Sequence, residues 1–290
     1  MINNNNILIN LNNMLLLYML LLYMLLLFII AVVVLIIISS FCLYNNRKSD
    51  NFSKINLINY YFKNSFVTTL ISCPKSNQRV KKFINTHSNN NLPIPQINPA
   101  LHGTNDFDYI QKKYPNINFN CKKFIERKGA YGLTASFLQF LEKNKNNNYT
   151  MWYEDDALPT INYNFKFEIN KALQNLPKQG KDIYYFGYNN RCKSECHKDT
   201  KEWKSKNNFD SGSHAILFTK ESINIIYNYM LKNIINLPID DLLYFLNSKG
   251  YIYSWYLSGY KSNSDNMICG LFCQDKTFCN TRSSVIDTVK

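Results

Sequence analysis

The residues best suited to chemistry are three consecutive carboxylates, Glu154, Asp155 and Asp156, within the stretch Tyr149–Pro159. The residues before them are apolar and aromatic, which predicts the end of a buried β-strand, and Pro159 is expected to stop further strand pairing. Adjacent carboxylates repel one another, and a bound Mg²⁺ or Mn²⁺ relieves that repulsion because both ions prefer oxygen ligands. The alternative is an acidic turn that only faces solvent.

The segments around these carboxylates alternate between apolar strands and amphipathic helices, which is typical of an α/β sheet. In an open sheet of this class, ligands bind beyond the carboxyl ends of the strands. The acidic stretch is therefore predicted to end a strand where a ligand would lie. Strands are predicted at Phe66–Ser72, Asp182–Tyr188 and Gly212–Thr219, and helices at Phe165–Leu176, at Glu221–Ile235 and from Leu237 onward.

Other candidate binding residues lie next to predicted helices. Arg79 follows the first predicted strand, and a guanidinium group can pair bidentately with phosphate, although a plain surface role is the alternative. Gly129 and Gly132 precede a helix and allow a close backbone approach, an anion at the helix N-terminus, or only a tight turn. Asp240 and Asp241 fall in a first helical turn, where the helix dipole by itself favours acidic residues.

Length and charge limit the classes of protein to consider. The 290 residues suffice for one sizeable domain with an anchor, or for two small domains. The net charge of +13 comes from scattered lysines, which indicates a solvated basic surface compatible with anionic substrates or membranes. The sequence has no zinc-finger spacing, helix-turn-helix signature or basic heptad helix, so nucleic-acid binding is disfavoured.

Met14–Ile38 is an unbroken apolar run with no Lys or Arg before it. As a helix it is long enough to span the hydrocarbon core of a bilayer, and it is longer than the apolar core of a cleaved signal peptide. We therefore expect a transmembrane anchor at 14–38. The remaining chain divides into a short tail at 1–13, a stem at 39–64 and a globular domain at 65–290.

The chain has eight cysteines, and most of them lie in its C-terminal half. In an oxidising compartment Cys192 and Cys196 could pair with the later group of Cys269, Cys273 and Cys279. Free thiols and a zinc site remain alternatives, although the Cys-x3-Cys spacing is unusual for structural zinc. Sequons at Asn51 and Asn148 could be glycosylated only on the lumenal side of a membrane.

The motifs follow one another in a definite order. An Arg follows the first strand, Gly-x-x-Gly and Ser open a helix, and the next strand ends in Glu-Asp-Asp. Two further strands contain Tyr-Tyr-Phe-Gly and Ser-His-Ala. A helix that begins with Pro-Ile-Asp comes next, and a late Gln precedes Ser-Ser. This series resembles glycosyltransferase family 25, which includes lipopolysaccharide and procollagen galactosyltransferases. The resemblance covers roughly Phe66–Val285, and Glu154–Asp156 is its most specific part. It implies a GT-A fold, which is a Rossmann-like α/β sheet, with a UDP-sugar donor and usually Mn²⁺.

The resemblance also assigns roles to individual residues. It implies that Asp156 and Glu154 bind the metal, and that Asp240, with Asp241 second, acts as the general base for an acceptor hydroxyl. One departure from the family is Phe137, which stands where the family commonly has His, so any contact made by that His is absent. Residues expected to bind the donor are Arg79, Gly129, Gly132, Ser136, Glu154, Asp155 and Gln274, with Ser283 and Ser284 in the family's closing segment.

Together with the apolar run, the resemblance therefore implies a single-pass membrane glycosyltransferase, metal-dependent and inverting, that moves a hexose such as galactose or glucose to a glycan, lipid or protein hydroxyl. One alternative is a catalytically degenerate member that binds sugar or protein, and another is an unrelated anchored structural protein with an accidental acidic turn. Membrane orientation has conflicting indications. Arg47, Lys48 and Lys54 follow the apolar run and favour a cytosolic domain, whereas the predicted activity favours the lumenal side.

Overall fold

The structure, a computed structural model, describes residues 18–36, 39, 57–159, 165–188, 202–205, 212, 214–257, 260–261, 268–269 and 271–274. The chain divides into two units, Met1–Lys54 and Ile55–Lys290. In the first unit, helix α1 (Tyr18–Ile36) is apolar, exposed and 19 residues long. At about 1.5 Å per residue it measures about 28 Å, the length needed to cross a membrane. Both a membrane anchor and a signal sequence have this length and composition.

The second unit is built on a mixed sheet, so the predicted α/β class is confirmed. The strand order is β2-β1-β3-β7-β5-β11-β4, with β8 also paired to β5 and β6 paired to β8. A separate antiparallel pair is formed by β9 and β10. The strands are β1 (Ser65–Thr69), β2 (Gln96–Pro99), β3 (Tyr149–Glu154), β4 (Ala157–Pro159), β5 (Asp182–Gly187), β6 (Trp203–Ser205), β7 (Ala215–Thr219), β8 (Tyr253–Leu257), β9 (Tyr260–Lys261), β10 (Ile268–Cys269) and β11 (Phe272–Gln274).

The direction of the strands gives the sheet two distinct edges. Strand β1 is parallel to β2 and β3, β5 is parallel to β8, and β7 runs antiparallel between β3 and β5. The carboxyl ends of β1, β2, β3, β5 and β8 therefore lie at one edge, which we call the carboxyl edge. The amino ends of the same strands, together with the carboxyl end of β7, form the opposite amino edge.

Helices cover both faces of the sheet, and two apolar cores result. Strands β5 and β7 are buried along their whole length, as expected for strands packed on both sides. One core lies under α5, α7 and α8, and the other lies under α2, α6 and a short helix at 57–62. The helices are α2 (Pro74–Asn89), α3 (Phe107–Lys113), α4 (Lys122–Glu126), α5 (Lys128–Asn144), α6 (Phe165–Gln174), α7 (Lys220–Lys232) and α8 (Ile239–Ser248).

Two local expectations need correction. Residues 57–62, within the segment 39–64 expected as stem, form a helix that buries Ile58, Tyr61 and Phe62 in the core. Strand pairing also resumes after the acidic turn, because β4 pairs with β11 through Pro159. A proline is tolerated there because β4 lies at the end of the strand order.

Candidate functional site

The three carboxylates lie at the carboxyl edge, which is where the sequence predicts a ligand site. Glu154 ends β3, and Asp155 and Asp156 form the turn into β4. The apolar residues of β3 draw this turn into the protein, since Asp155 is only 9% exposed and Asp156 only 6% exposed. Strands β1 and β3 are in register with Thr68 opposite Glu154, so the turn lies beside the end of β1.

Asp155 is held by groups from β1 and α2. Its Oδ2 atom accepts a hydrogen bond from the Thr69 hydroxyl at 2.8 Å, and its Oδ1 atom lies 3.5 Å from Nη1 of Arg79. Arg79 is 5% exposed. The structure therefore places Arg79 against a carboxylate beside the predicted donor site, and its contact with a phosphate stays a prediction.

The electrostatics of Asp155 are dominated by burial. Burial, and next the charge of Asp156, raise the pKa of the Asp155 carboxyl to about 6, although Thr69, Arg79 and Ser76 act in the opposite direction. Like-charge repulsion from Asp156 thus adds to the cost that burial imposes on an ionised Asp155. A divalent cation at this turn would remove that repulsion.

Backbone pairing brings further residues to the same turn. The amide of Glu154 donates to the carbonyl oxygen of His214 at 2.9 Å, just before β7 begins. Gln274 ends β11, and its backbone pairs with Ala157, the residue that follows Asp156. The backbone of Gln274 therefore belongs to this part of the sheet, and contact between the Gln274 side chain and a donor stays a prediction.

Asp240 and Asp241 occupy the first turn of α8, as predicted. Asp241 forms an ion pair with Lys123 of α4 at 2.5 Å. Asp240 is half-buried, and its charge, after burial, is the second cause that raises the pKa of Tyr185 of β5. Tyr185 belongs to the core under α5, α7 and α8, whereas Asp155 contacts α2 on the other face. Asp240 and Asp155 thus approach the sheet from opposite faces.

Gly132 and Ser136 attach helix α5 to the loop that follows β2. A methyl group on Gly132 would lie 2.4 Å from the carbonyl oxygen of Leu101 and 2.5 Å from the amide nitrogen of Gly103. The Ser136 hydroxyl accepts a hydrogen bond from the Leu101 amide and donates one to the Gly132 carbonyl, both at 2.7 Å. The sequence left three roles open for the glycines: a close backbone approach, anion binding at the helix N-terminus, or a tight turn. At Gly132 the structure shows a close backbone approach.

Gly129 lies inside α5 as well, because the helix begins at Lys128. The segment predicted as a turn before the helix is therefore already the first turn of α5. Contact between the donor and Gly129, Gly132 or Ser136 stays a prediction. Phe137, the residue in place of the family's His, is 0% exposed and packs against Trp152, Phe140 and Phe218.

The most informative residue that the sequence did not single out is Thr69. Its signal is the polar pair Thr68-Thr69 inside an otherwise apolar strand, because polar residues at the carboxyl end of a strand lie near ligands in this class of sheet. Asn98 of the neighbouring β2 donates to the Thr68 hydroxyl at 3.1 Å. Thr68, Thr69 and Asn98 are therefore polar side chains at the carboxyl ends of β1 and β2, beside the acidic turn.

Several predicted features fall outside the described residues. These features are Ser283 and Ser284, the sequon at Asn51, the cysteines Cys192, Cys196 and Cys279, and the side chains of Cys269 and Cys273. Cys73 and Cys121 are described and are free thiols. Asn148, the second sequon, is exposed directly before β3. Within the described residues, no cluster of three or more His, Cys, Asp or Glu side chains has the arrangement of a metal site.

A comparison with protein-family models finds no match for this chain, and none of the curated proteins compared with it matches its sequence.

Proposed function

We propose that the protein is a membrane-anchored glycosyltransferase with a GT-A-type domain that moves a hexose from a UDP-sugar to an acceptor hydroxyl. The observation that carries the proposal is the burial of Asp155 and Asp156, directly after Glu154, at the carboxyl edge of an α/β sheet and next to Thr69 and Arg79. In sheets of this class the carboxyl edge is where nucleotide ligands bind. A buried, mutually repelling acidic turn at that edge is suited to a cation-dependent donor site.

The residues present fit a Mn²⁺ or Mg²⁺ ion. Asp156 and Glu154, which flank Asp155 in the acidic turn, are the carboxylates proposed to hold the ion, whereas Asp155 contacts Thr69 and Arg79. Mg²⁺ in nucleotide sites is commonly bound by one or two carboxylates with substrate phosphates completing the shell, so fewer than three clustered side chains suffice. The bound ion would neutralise charge on the diphosphate leaving group.

Each remaining residue has a task that its position supports. Thr69 and Arg79 orient Asp155 and so hold the turn that carries Glu154 and Asp156. Asp240 is the proposed base that accepts the proton of the acceptor hydroxyl. Since Asp240 approaches from the face opposite α2, donor and acceptor would meet at the carboxyl edge from the two sides of the sheet. Asp241 is the weaker candidate because it pairs with Lys123.

The anchor assignment rests on α1, whose length and apolar composition fit a single membrane span. The proposal places the catalytic unit, Ile55–Lys290, on one side of that membrane. The side of the membrane on which this unit lies can be tested directly, because Asn148 is exposed and begins a glycosylation sequon. Glycosylation of Asn148 in a eukaryotic microsome system would report a lumenal domain, and its absence there together with protease accessibility would report a cytosolic one.

The activity test uses the full chain in detergent, with a panel of UDP-hexoses and either Mn²⁺ or EDTA. Wild type is compared with Asp156→Ala and with Glu126→Gln, which changes an exposed acid of α4 far along the chain from the acidic turn. We expect metal-dependent release of UDP from wild type and from Glu126→Gln. Asp156→Ala should reduce that release at least about 100-fold, because it removes a proposed ligand of the catalytic cation.

The pattern of results separates the proposal from its alternatives. Metal-dependent UDP binding without turnover, lost in Asp156→Ala, would indicate a catalytically degenerate binding module. Neither binding nor turnover in a folded protein would refute the glycosyltransferase assignment.

A further inference from the structure

The amino edge of the sheet, opposite the acidic turn, gathers exposed lysines from five separate connections. These connections precede β1, β3, β5 and β8 and follow β7, which ends at this edge because it runs antiparallel to its neighbours. The five exposed lysines, which we call the amino-edge lysines, are Lys63, Lys145, Lys178, Lys220 and Lys249.

Hydrogen bonds show that these connections are neighbours in space. The Lys220 amide donates to the carbonyl of Asn148, and the Asn224 side chain donates to the carbonyl of Lys145. The Thr219 hydroxyl at the end of β7 contacts the carbonyl of Gly180, and the amide of Tyr253 donates to the carbonyl of Lys181. The Asn64 side chain, next to Lys63, donates to the carbonyl of Tyr149. The connections that carry the amino-edge lysines therefore adjoin one another along this edge.

The positive charge of this surface is not cancelled locally. Among the ion pairs between described residues, none involves an amino-edge lysine. The exposed acid in these connections is Glu221. Asp182 is buried, where its carboxylate accepts hydrogen bonds from the amides of Gln179 and Gly180 and from the indole of Trp255. The surface thus carries a clear excess of positive charge.

Exposed tyrosines lie among the lysines. Tyr60 is exposed in the short helix before β1 and stacks edge-on against Tyr149, and Tyr251 and Tyr253 are exposed at the start of β8. Tyrosine combines an apolar ring with a polar hydroxyl and is enriched where protein meets the lipid headgroup region. Lysine clusters with interleaved aromatic residues are suited to an anionic bilayer surface.

We propose that the amino edge is a membrane-docking surface that binds anionic phospholipid headgroups. Lipid is the favoured partner because the charge and the tyrosines complement an anionic bilayer, and because the chain carries an apolar helix of membrane-spanning length in the same polypeptide. Tethering raises the effective concentration of the surface at the bilayer, so weak contacts suffice. Docking through the amino edge leaves the carboxyl edge, with the acidic turn, directed away from the lipid.

The test measures the protection of individual lysines in the full chain. The protein is reconstituted into nanodiscs of phosphatidylcholine alone or with about 30% phosphatidylserine, a fraction that gives a substantial negative surface potential. Amine acetylation is followed residue by residue by mass spectrometry. We expect the amino-edge lysines to react at least about threefold more slowly with phosphatidylserine present, and this difference to vanish near 1 M salt, where the Debye length falls to about 3 Å.

Charge-reversal variants at the amino edge are compared with charge-reversal variants at exposed lysines elsewhere. A triple variant, Lys178→Glu with Lys220→Glu and Lys249→Glu, should lose the lipid-dependent protection of Lys63 and Lys145. A double variant at exposed lysines outside the amino edge, Lys75→Glu with Lys122→Glu, should keep it.

Either of two results would overturn the docking surface. One is equal acetylation of the amino-edge lysines in both lipid compositions, and the other is equal slowing of Lys75 and Lys122 in the wild type. Protection by added RNA or an acidic protein without any lipid dependence would assign the surface to another partner and would also refute the proposal. The inference is independent of catalysis, so failure of the UDP-sugar assay would leave it standing.

Discussion

His87 tests the packing of helix α2 against the sheet. The side chain is 1% exposed, and its ring lies 4.0 Å from that of Phe83, 5.1 Å from Tyr153 and 5.8 Å from Phe272, measured between centroids. Its Nδ1 donates to the carbonyl oxygen of Phe83 at 3.1 Å, and Nε2 has no hydrogen-bond partner among the described residues. Protonating Nε2 would therefore bury a positive charge among aromatic rings.

The expected effect of acid follows from this burial. Burial lowers the pKa of His87 from 6.5 to about 4, and the bond to Phe83 offsets only part of that shift. Because the unfolded chain binds the proton more tightly, the stability contributed by neutral His87 is complete above pH 6.5 and is lost as pH falls towards 4. At about 1.4 kcal/mol per pKa unit the full loss is about 3 kcal/mol, and the part between pH 7 and pH 5 is about 2 kcal/mol.

Asp155 acts with the opposite sign in the same pH range. Its pKa is raised from 3.8 to about 6, so the folded state binds this proton more tightly and gains stability as pH falls through 6. That gain amounts to about 1 kcal/mol between pH 7 and pH 5 by the same linkage relation. The gain from Asp155 offsets about half of the loss from His87 in the wild type, so the contribution of His87 is isolated only by comparison with a variant.

The variant is His87→Phe, which keeps an aromatic ring and removes the titrating group. Unfolding of the full chain by urea, in neutral detergent with EDTA, is followed by tryptophan fluorescence, since Trp152, Trp203 and Trp255 all lie in the second unit. We expect the unfolding free energy of the variant relative to wild type to rise by about 2 kcal/mol from pH 7 to pH 5. Ser88→Ala, at the exposed neighbouring position, should follow wild type at every pH. A difference between His87→Phe and wild type that stays constant with pH would refute the argument.

Two further predictions concern packing and buried polar groups, and the same urea assay tests both. Gly132→Ala should destabilise the protein by about 1–3 kcal/mol despite the better helix propensity of alanine, because its methyl group meets backbone atoms of Leu101 and Gly103; unchanged or increased stability would contradict this. Asp182→Asn should cost about 1–2 kcal/mol, since a single amide oxygen cannot accept from all three part-buried donors. Asp108→Asn at an exposed site should be neutral, and equal effects of the two substitutions would contradict the role of the Asp182 hydrogen bonds.

The sequence was most informative where a segment has both a clear apolar pattern and the length of a single strand or helix. Strand β5 was predicted to within one residue, and helix α6 was predicted with its start at Phe165, because each is a dense apolar or amphipathic segment between clear breaks. The acidic turn was placed at the end of β3 by the same reasoning. Strand direction was not predictable, since an antiparallel β7 between two parallel neighbours leaves no mark in its own residues.

The contacts within the candidate site could not be read from the sequence because they join distant segments. Arg79 is 76 positions from Asp155, and Lys123 is 118 positions from Asp241. An arginine after a strand and an acid in a first helical turn each have an ordinary local explanation. Only the fold shows that one acid is held by Thr69 and Arg79 and that the other is neutralised by a lysine of α4.

Phe137 shows how the fold changes the meaning of a sequence difference. In the sequence, a phenylalanine in place of the family's His suggests the loss of a catalytic or donor contact. In the structure, position 137 lies on the buried side of α5, with Trp152 at 5.3 Å and Phe218 at 5.7 Å between ring centroids. A histidine side chain there would have to enter this aromatic core, where an unpaired polar ring is unfavourable. In the proposed glycosyltransferase, the absence of a His at position 137 therefore leaves the roles of Glu154, Asp156 and Asp240 unchanged, because none of these roles needs a polar group inside this core.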